Sequence, residues 1–150
     1  MAKQPRGQRT LPLIGWREWV RFPQFDNVWI KAKIDTGAKT SAVHAYNIVE
    51  QEADGVPHVT FDLHPVQRKA TPRVSCQAAV LDRRDIKNSG GLSECRYVIR
   101  VPVTIGDHAL EIDMTLTRRD EMGFRMLLGR DAVKRRFLVN PARSFLHGRI

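Results

Sequence analysis

Hydrophobic residues recur at every second position along most of this chain, the spacing of side chains on one face of a β-strand. The clearest case is Tyr97-Ile99-Val101-Val103-Ile105, then Gly106-Asp107, then Leu110-Ile112-Met114-Leu116. Gly106-Asp107 can take the positive φ of a tight turn, so the pattern predicts a β-hairpin with one buried face on each strand. On its second strand Glu111, Asp113, Thr115 and Thr117 take the wetter face. Val28, Ile30, Ala32 and Ile34 alternate in the same way with Trp29, Lys31 and Lys33, and Val59, Phe61 and Leu63 with Thr60, Asp62 and His64. One stretch reads as helix. Asp131 to Arg136 offers Asp131 as an N-cap and ends in Lys134-Arg135-Arg136, cations that suit the negative end of a helix dipole. Phe137-Leu138-Val139 and Ser144-Phe145-Leu146 read as strands around Asn140-Pro141. Many short strands with turns between them predict a mainly β fold, a small closed or sandwich-like barrel with one short helix near the C-terminus.

With 150 residues, 42% hydrophobic and 27% charged, the chain has one domain's worth of ordinary globular sequence. Met1 to Thr10 is basic and lacks an apolar pattern, so residues 1–10 are expected to be a flexible basic arm and residues 11–150 the domain. Runs such as Ala78-Ala79-Val80-Leu81 fall short of the ~18 apolar residues a membrane-crossing helix needs. The polar start has no signal-like apolar region, so the expectation is a cytoplasmic protein with Cys76 and Cys95 as free thiols. The formal charge of +9 favours an acidic partner.

Several kinds of site are absent from the sequence. There is no H-E-x-x-H, no C-x-x-C, no phosphate-cradling G-x-x-x-x-G-K-[ST] and no G-x-S-x-G. His44, His58, His64, His108 and His147 lack ligand spacing, so neither a metal nor another cofactor is expected. What remains is Ile34-Asp35-Thr36-Gly37-Ala38, where an alternating strand delivers a carboxylate to a tight turn. Gly37 permits backbone conformations closed to other residues, and its amide can donate to the carboxylate. The Thr36 hydroxyl is available to tie the turn down. By themselves these letters fit an ordinary turn. Far downstream lies Met126-Leu127-Leu128-Gly129-Arg130-Asp131, an apolar strand running into Gly-Arg.

That pair of motifs resembles the retropepsins, single-lobe aspartic proteases of the retroviral type. The fuller set is Gly15 to Val20, Lys31 to Ala42, Arg118 to Arg125 and Leu128 to Asp131. It resembles more closely a bacterial group of retropepsin-like aspartic endopeptidases often labelled ATP-dependent zinc proteases. The resemblance implies that Asp35, Thr36 and Gly37 form the catalytic turn, with Leu127, Leu128 and Gly129 threading behind it. Such chemistry uses two carboxylates that share one proton, one activating water and the other protonating the peptide carbonyl. The chain has one Asp-Thr-Gly, and Asp54-Gly55 lacks the apolar strand and the threonine. A homodimer contributing Asp35 twice is therefore expected.

Retroviral enzymes carry an aspartate after Asp-Thr-Gly-Ala that pairs with the arginine of the Gly-Arg motif. Here Lys39 follows Ala38, leaving Asp131 as the local acid beside Arg130. With Ala38, Lys39 and Arg130 at the substrate, a peptide or protein rich in Glu or Asp is expected. Relatives of this group accompany ATP-grasp ligases that add glutamates, a functional link that would supply such a substrate. A flap over the cleft is expected at Asp82 to Glu94, with Gly90-Gly91 as hinge, or at Pro65 to Arg73. Two rivals stand beside the peptidase. A non-catalytic peptide-binding adaptor would share the fold. A nucleic-acid-binding protein would use Arg83-Arg84, Arg118-Arg119 and Lys134-Arg135-Arg136, although aromatics are only 7% of the chain and no aromatic-rich RNA-binding strand motif is evident.

Overall fold

The period-two segments become strands that close on themselves. The structure is a computed structural model and describes residues 10–66, 72–87, 90–91, 93–117 and 123–149. Met1 to Arg9, Arg118 to Met122, Asn88, Ser89 and residues 67–71 of the Pro65 to Arg73 loop lie outside the described residues. The elements in chain order are β1 (Leu13–Gly15), β2 (Arg17–Phe22), β3 (Val28–Asp35), β4 (Ser41–His44), β5 (Tyr46–Ala53), β6 (Val56–Leu63) and β7 (Val74–Ala79). Then come β8 (Asp82–Lys87), β9 (Ser93–Ile105), β10 (His108–Thr117), β11 (Met126–Gly129), α1 (Arg130–Val133) and β12 (Leu138–Asn140).

Six strands form a ring in the order β10, β4, β11, β3, β2, β9, with β9 pairing back onto β10, so no edge remains in the ring. The β9–β10 hairpin matches its expectation. Ile105 pairs with His108 around Gly106-Asp107, and Gly106 has φ +57°. The alternating apolar residues Val20, Phe22, Ile30, Ala32, Val43, Val101, Val103, Met114, Met126 and Leu128 are fully or almost fully buried inside. Each large one contributes about 1.5–3 kcal/mol of apolar transfer. A separate sheet, β5-β6-β7, carries the Asp54-Gly55 turn, where both residues have positive φ as a two-residue hairpin requires. It docks on the core through Phe61, which meets Phe25 edge-on at 5.6 Å.

The C-terminal part differs from expectation in two places. The helix spans Arg130–Val133 rather than Asp131 to Arg136, and its N-cap is Gly129, not Asp131. No side-chain cap is needed, because the first helical amides find backbone acceptors: Arg130 N–H donates to Ala38 O (2.7 Å) and Asp131 N–H to Lys39 O (3.0 Å). After Asn140-Pro141 there is no second strand at Ser144 to Leu146, and Phe145 has φ +53°. β12 instead pairs in parallel with β1, and the tail is held by a side chain. The fully buried Glu18 carboxylate accepts from the amides of Gly15 (2.7 Å), Leu146 (3.0 Å) and His147 (3.3 Å). An ionised carboxylate can accept several hydrogen bonds at once, so this one side chain serves all three amides. Both cysteines are free, Cys76 buried and Cys95 exposed. No helix among the described residues is long and apolar enough to cross a membrane.

Candidate active site

Asp35 is the last residue of β3 and is half-buried where the ring opens to solvent. Its Oδ1 accepts from the Gly37 amide at 3.1 Å, and its carbonyl accepts from the Ala38 amide at 3.2 Å. Those two bonds bend the chain so that Thr36 and Gly37 lie exposed at the crest of the turn. A Cβ on Gly37 would stand 3.3 Å from Asp35 Oδ1, crowding the oxygen that the amide holds. Thr36 contributes through its carbonyl, which accepts from Arg130 Nη1 at 3.2 Å. Its hydroxyl, expected to tie the turn, makes no hydrogen bond among the described residues.

The second motif lies directly alongside. β11 runs parallel to β3 with Leu128 opposite Ile34 and Gly129 opposite Asp35. Leu128 is fully buried and Leu127 half-buried. Gly129 is pressed against the segment leaving the turn, where a Cβ would meet Thr40 C at 2.6 Å and Ser41 N at 2.9 Å. The Gly129 amide donates to Ser41 Oγ at 3.0 Å. Ser41 and Glu18 were both passed over by the sequence reasoning. Glu18 had a signal, since it falls in phase with the inward Val20 and Phe22 of β2.

Lys39 is exposed and forms no ion pair among the described residues. Arg130 is aimed at the turn's backbone rather than at an acid. Asp131 pairs with Lys134 Nζ at 3.1 Å, and this bond, with the charges of Lys39 and Arg130 behind it, holds its carboxyl below the usual range. Asp131 is thus tied within the helix and does not replace the missing partner of Arg130. A cleft of about 500 Å³ opens beside Lys39 and Thr40, lined also by Arg84, Arg100 and Arg136 and by the acids Glu111, Asp113 and Asp131.

Of the segment Asp82 to Glu94, β8 (Asp82–Lys87) pairs antiparallel with the start of β9, Asp82 opposite Val98 and Lys87 opposite Ser93, while Asn88, Ser89 and Leu92 lie outside the described residues. Arg84 of β8 donates to Thr40 Oγ1 at 3.2 Å, which brings it to the segment leaving the Asp35 turn. Pro65 and Val66, from the other flap candidate, lie instead beside Trp19, Trp29 and Lys31. No three His, Cys, Asp or Glu side chains converge among the described residues, so these residues do not fit a zinc ion.

Comparison with known proteins agrees with the geometry. A Shewanella halifaxensis protein named "Probable alpha-L-glutamate ligase" is 47% identical over 91% of this chain. A Desulfotalea psychrophila protein of the same name is 47% identical over 87%. The chain spans only 30% and 28% of the length of these two relatives. A crystal structure of a Legionella pneumophila protein of unknown function matches with a TM-score of 0.79 and 29% identity, covering 92% of this chain and 99% of that one. The family model described as RimB-like, retropepsin-like aspartic endopeptidase RimB, matches residues 13–149 and takes in both the Asp35 turn and the Gly129 strand, so the chain belongs to this family of retropepsin-like aspartic endopeptidases.

Proposed function

We propose that the protein is an aspartic endopeptidase whose catalytic dyad is two copies of Asp35 brought together across a homodimer, acting on acidic, Glu-rich peptide. The observation that carries this reading is the built turn: a half-buried Asp35 carboxylate gripped by the Gly37 amide at 3.1 Å and buttressed by Gly129 and α1. An accidental surface turn has no need of such bracing, whereas a carboxylate that must meet its twin within hydrogen-bonding range does. One ionised carboxylate takes a proton from water as the water oxygen attacks the peptide carbonyl carbon. The protonated carboxyl gives its proton to the carbonyl oxygen. Collapse of the gem-diol breaks the C–N bond: the leaving nitrogen takes a proton from one carboxyl, and a gem-diol hydroxyl returns its proton to the other carboxylate as the new C=O forms, so the dyad again holds one proton.

Two exposed leucines, Leu13 (49%) and Leu138 (52%), stand opposite each other where β1 meets β12 and offer apolar surface to a second copy. Lys39, with Arg84 and Arg136 in the adjoining cleft, supplies the charge for an acidic side chain. The glutamate-ligase name of the longer relatives supports a substrate carrying added glutamates and a working link to such a ligase. The test is hydrolysis of a Glu-rich peptide by the purified protein. Asp35→Asn is expected to abolish it, and Lys39→Glu to lose the preference over a neutral peptide. Undiminished cleavage by Asp35→Asn would end the reading.

A further inference from the structure

A second cationic surface runs along β2 and β3 toward Asp35. On β2 and β3 the inward residues Glu18, Val20, Phe22, Ile30, Ala32 and Ile34 are buried, so the intervening residues face outward. The strand register sets Arg17 opposite Lys33, Trp19 opposite Lys31 and Arg21 opposite Trp29. Asp35 continues the same series, so it shares a face with Lys33 and Lys31. The tail adds Phe145 and Arg149. Arg149 lies over the Trp19 ring at 4.5 Å and Lys31 at 5.3 Å, while Arg17 lies over Trp16 at 4.6 Å and Phe145 at 5.0 Å. Among the described residues none of Arg17, Lys31, Lys33 or Arg149 forms an ion pair, although ion pairs occupy Arg83, Arg96 and Arg100 elsewhere. No outward position of β2 or β3 before Asp35 carries a carboxylate.

We propose that this face is a carboxylate-reading track, on which Lys33, with Arg17 level with it on β2, and then Lys31 bind acidic side chains of the substrate on one side of the scissile bond. The proposal rests on Asp35 as the catalytic residue and deepens that reading by naming what selects the peptide. Two properties favour an acidic peptide over nucleic acid. The ring faces are already covered by cations, so they order long side chains in advance rather than offering open platforms for bases. The spacing fits as well. Lys31 and Lys33 are two residues apart on one strand face, ~6.7 Å, the same repeat as alternate side chains of an extended peptide.

The experiment uses the full chain carrying Asp35→Asn, so that binding is read without cleavage. A labelled Glu-rich peptide, its Gln-rich isostere and a single-stranded RNA oligonucleotide are titrated by fluorescence anisotropy, with and without Lys31→Gln/Lys33→Gln. The Glu-rich peptide is expected to bind best and to weaken by roughly fivefold in the double variant, as two lost exposed charge pairs would produce. In the active protein the same variant should raise KM for the Glu-rich peptide and leave kcat in place. Equal affinity with and without the two lysines would overturn the track, and so would RNA binding more tightly than peptide. Lysine-dependent binding by a protein that never cleaves would retain the track and remove the dyad. Cleavage with an unchanged KM in the double variant would do the reverse.

Discussion

The amide of Arg130 donates to the carbonyl of Ala38 at 2.7 Å, so the only helix among the described residues starts on the segment that leaves the Asp35 turn. Helix start, Gly129 strand and Asp35 turn are thereby one hydrogen-bonded unit. Displacing any of the three shifts the carboxylate.

Gly129→Ala tests that unit. Its methyl would sit 2.6 Å from Thr40 C, and the neighbour is backbone, which yields poorly. The expected cost is about 1–3 kcal/mol of stability with a disproportionate loss of kcat. Denaturant melts alongside kinetics check it. Unchanged kinetics would show that the turn does not depend on β11.

Glu18→Ala removes the acceptor for three backbone amides, that of Gly15 buried and those of Leu146 and His147 part-buried. A loss of about 3 kcal/mol or more is expected, a large share of a domain's total. Hydrogen exchange should show early release of the amides of Leu146 and His147. Wild-type protection of both would refute the clamp.

The two thiols should differ in reactivity. Burial, with Asp62 and Asp26 adding to it, pushes the Cys76 thiol up to about 12, whereas Cys95 is exposed on β9. An alkylating reagent near pH 8 should therefore modify Cys95 quickly and leave Cys76 until the chain unfolds. Mass spectrometry of the labelled peptides decides it, and rapid modification of Cys76 would contradict its burial on β7 opposite Phe61.

His64 stacks on Tyr46 at 4.0 Å, and burial, together with the charge of Arg125, holds its imidazole below the ordinary value. The unfolded chain then binds that proton more readily than the folded one. Its contribution to stability is complete above the ordinary value near ~6.5 and declines as pH falls through it. His64→Phe, which keeps the stack, should flatten the loss of stability between about pH 7 and pH 5. An unchanged slope would count against it.

Much of this was legible in the sequence where one rule dominates. Alternation located β3, β6, β9 and β10 because each has one buried face, and a one-residue slip would expose it. Asp35-Thr36-Gly37 and Leu128-Gly129 could be joined only through the family resemblance, since a parallel pairing across nearly a hundred residues leaves no local trace. The helix start was misplaced because its caps are the carbonyls of Ala38 and Lys39, which are remote in sequence. Ser144 to Leu146 looked like a strand by composition, but the Glu18 carboxylate takes the amides that a ladder would have used. Lys31 and Lys33 stood in the sequence only as the residues alternating with the apolar face of β3. Their joining to Arg17 and Arg149 required the register and the returning tail.

The most direct measurement is specific activity at fixed total protein as wild-type and Asp35→Asn subunits are mixed and re-equilibrated. If two Asp35 carboxylates make one site, activity follows the square of the wild-type fraction and falls to about one quarter at an equal mixture. A linear decline, to about one half, would mean that each subunit works alone, and the shared dyad would be wrong.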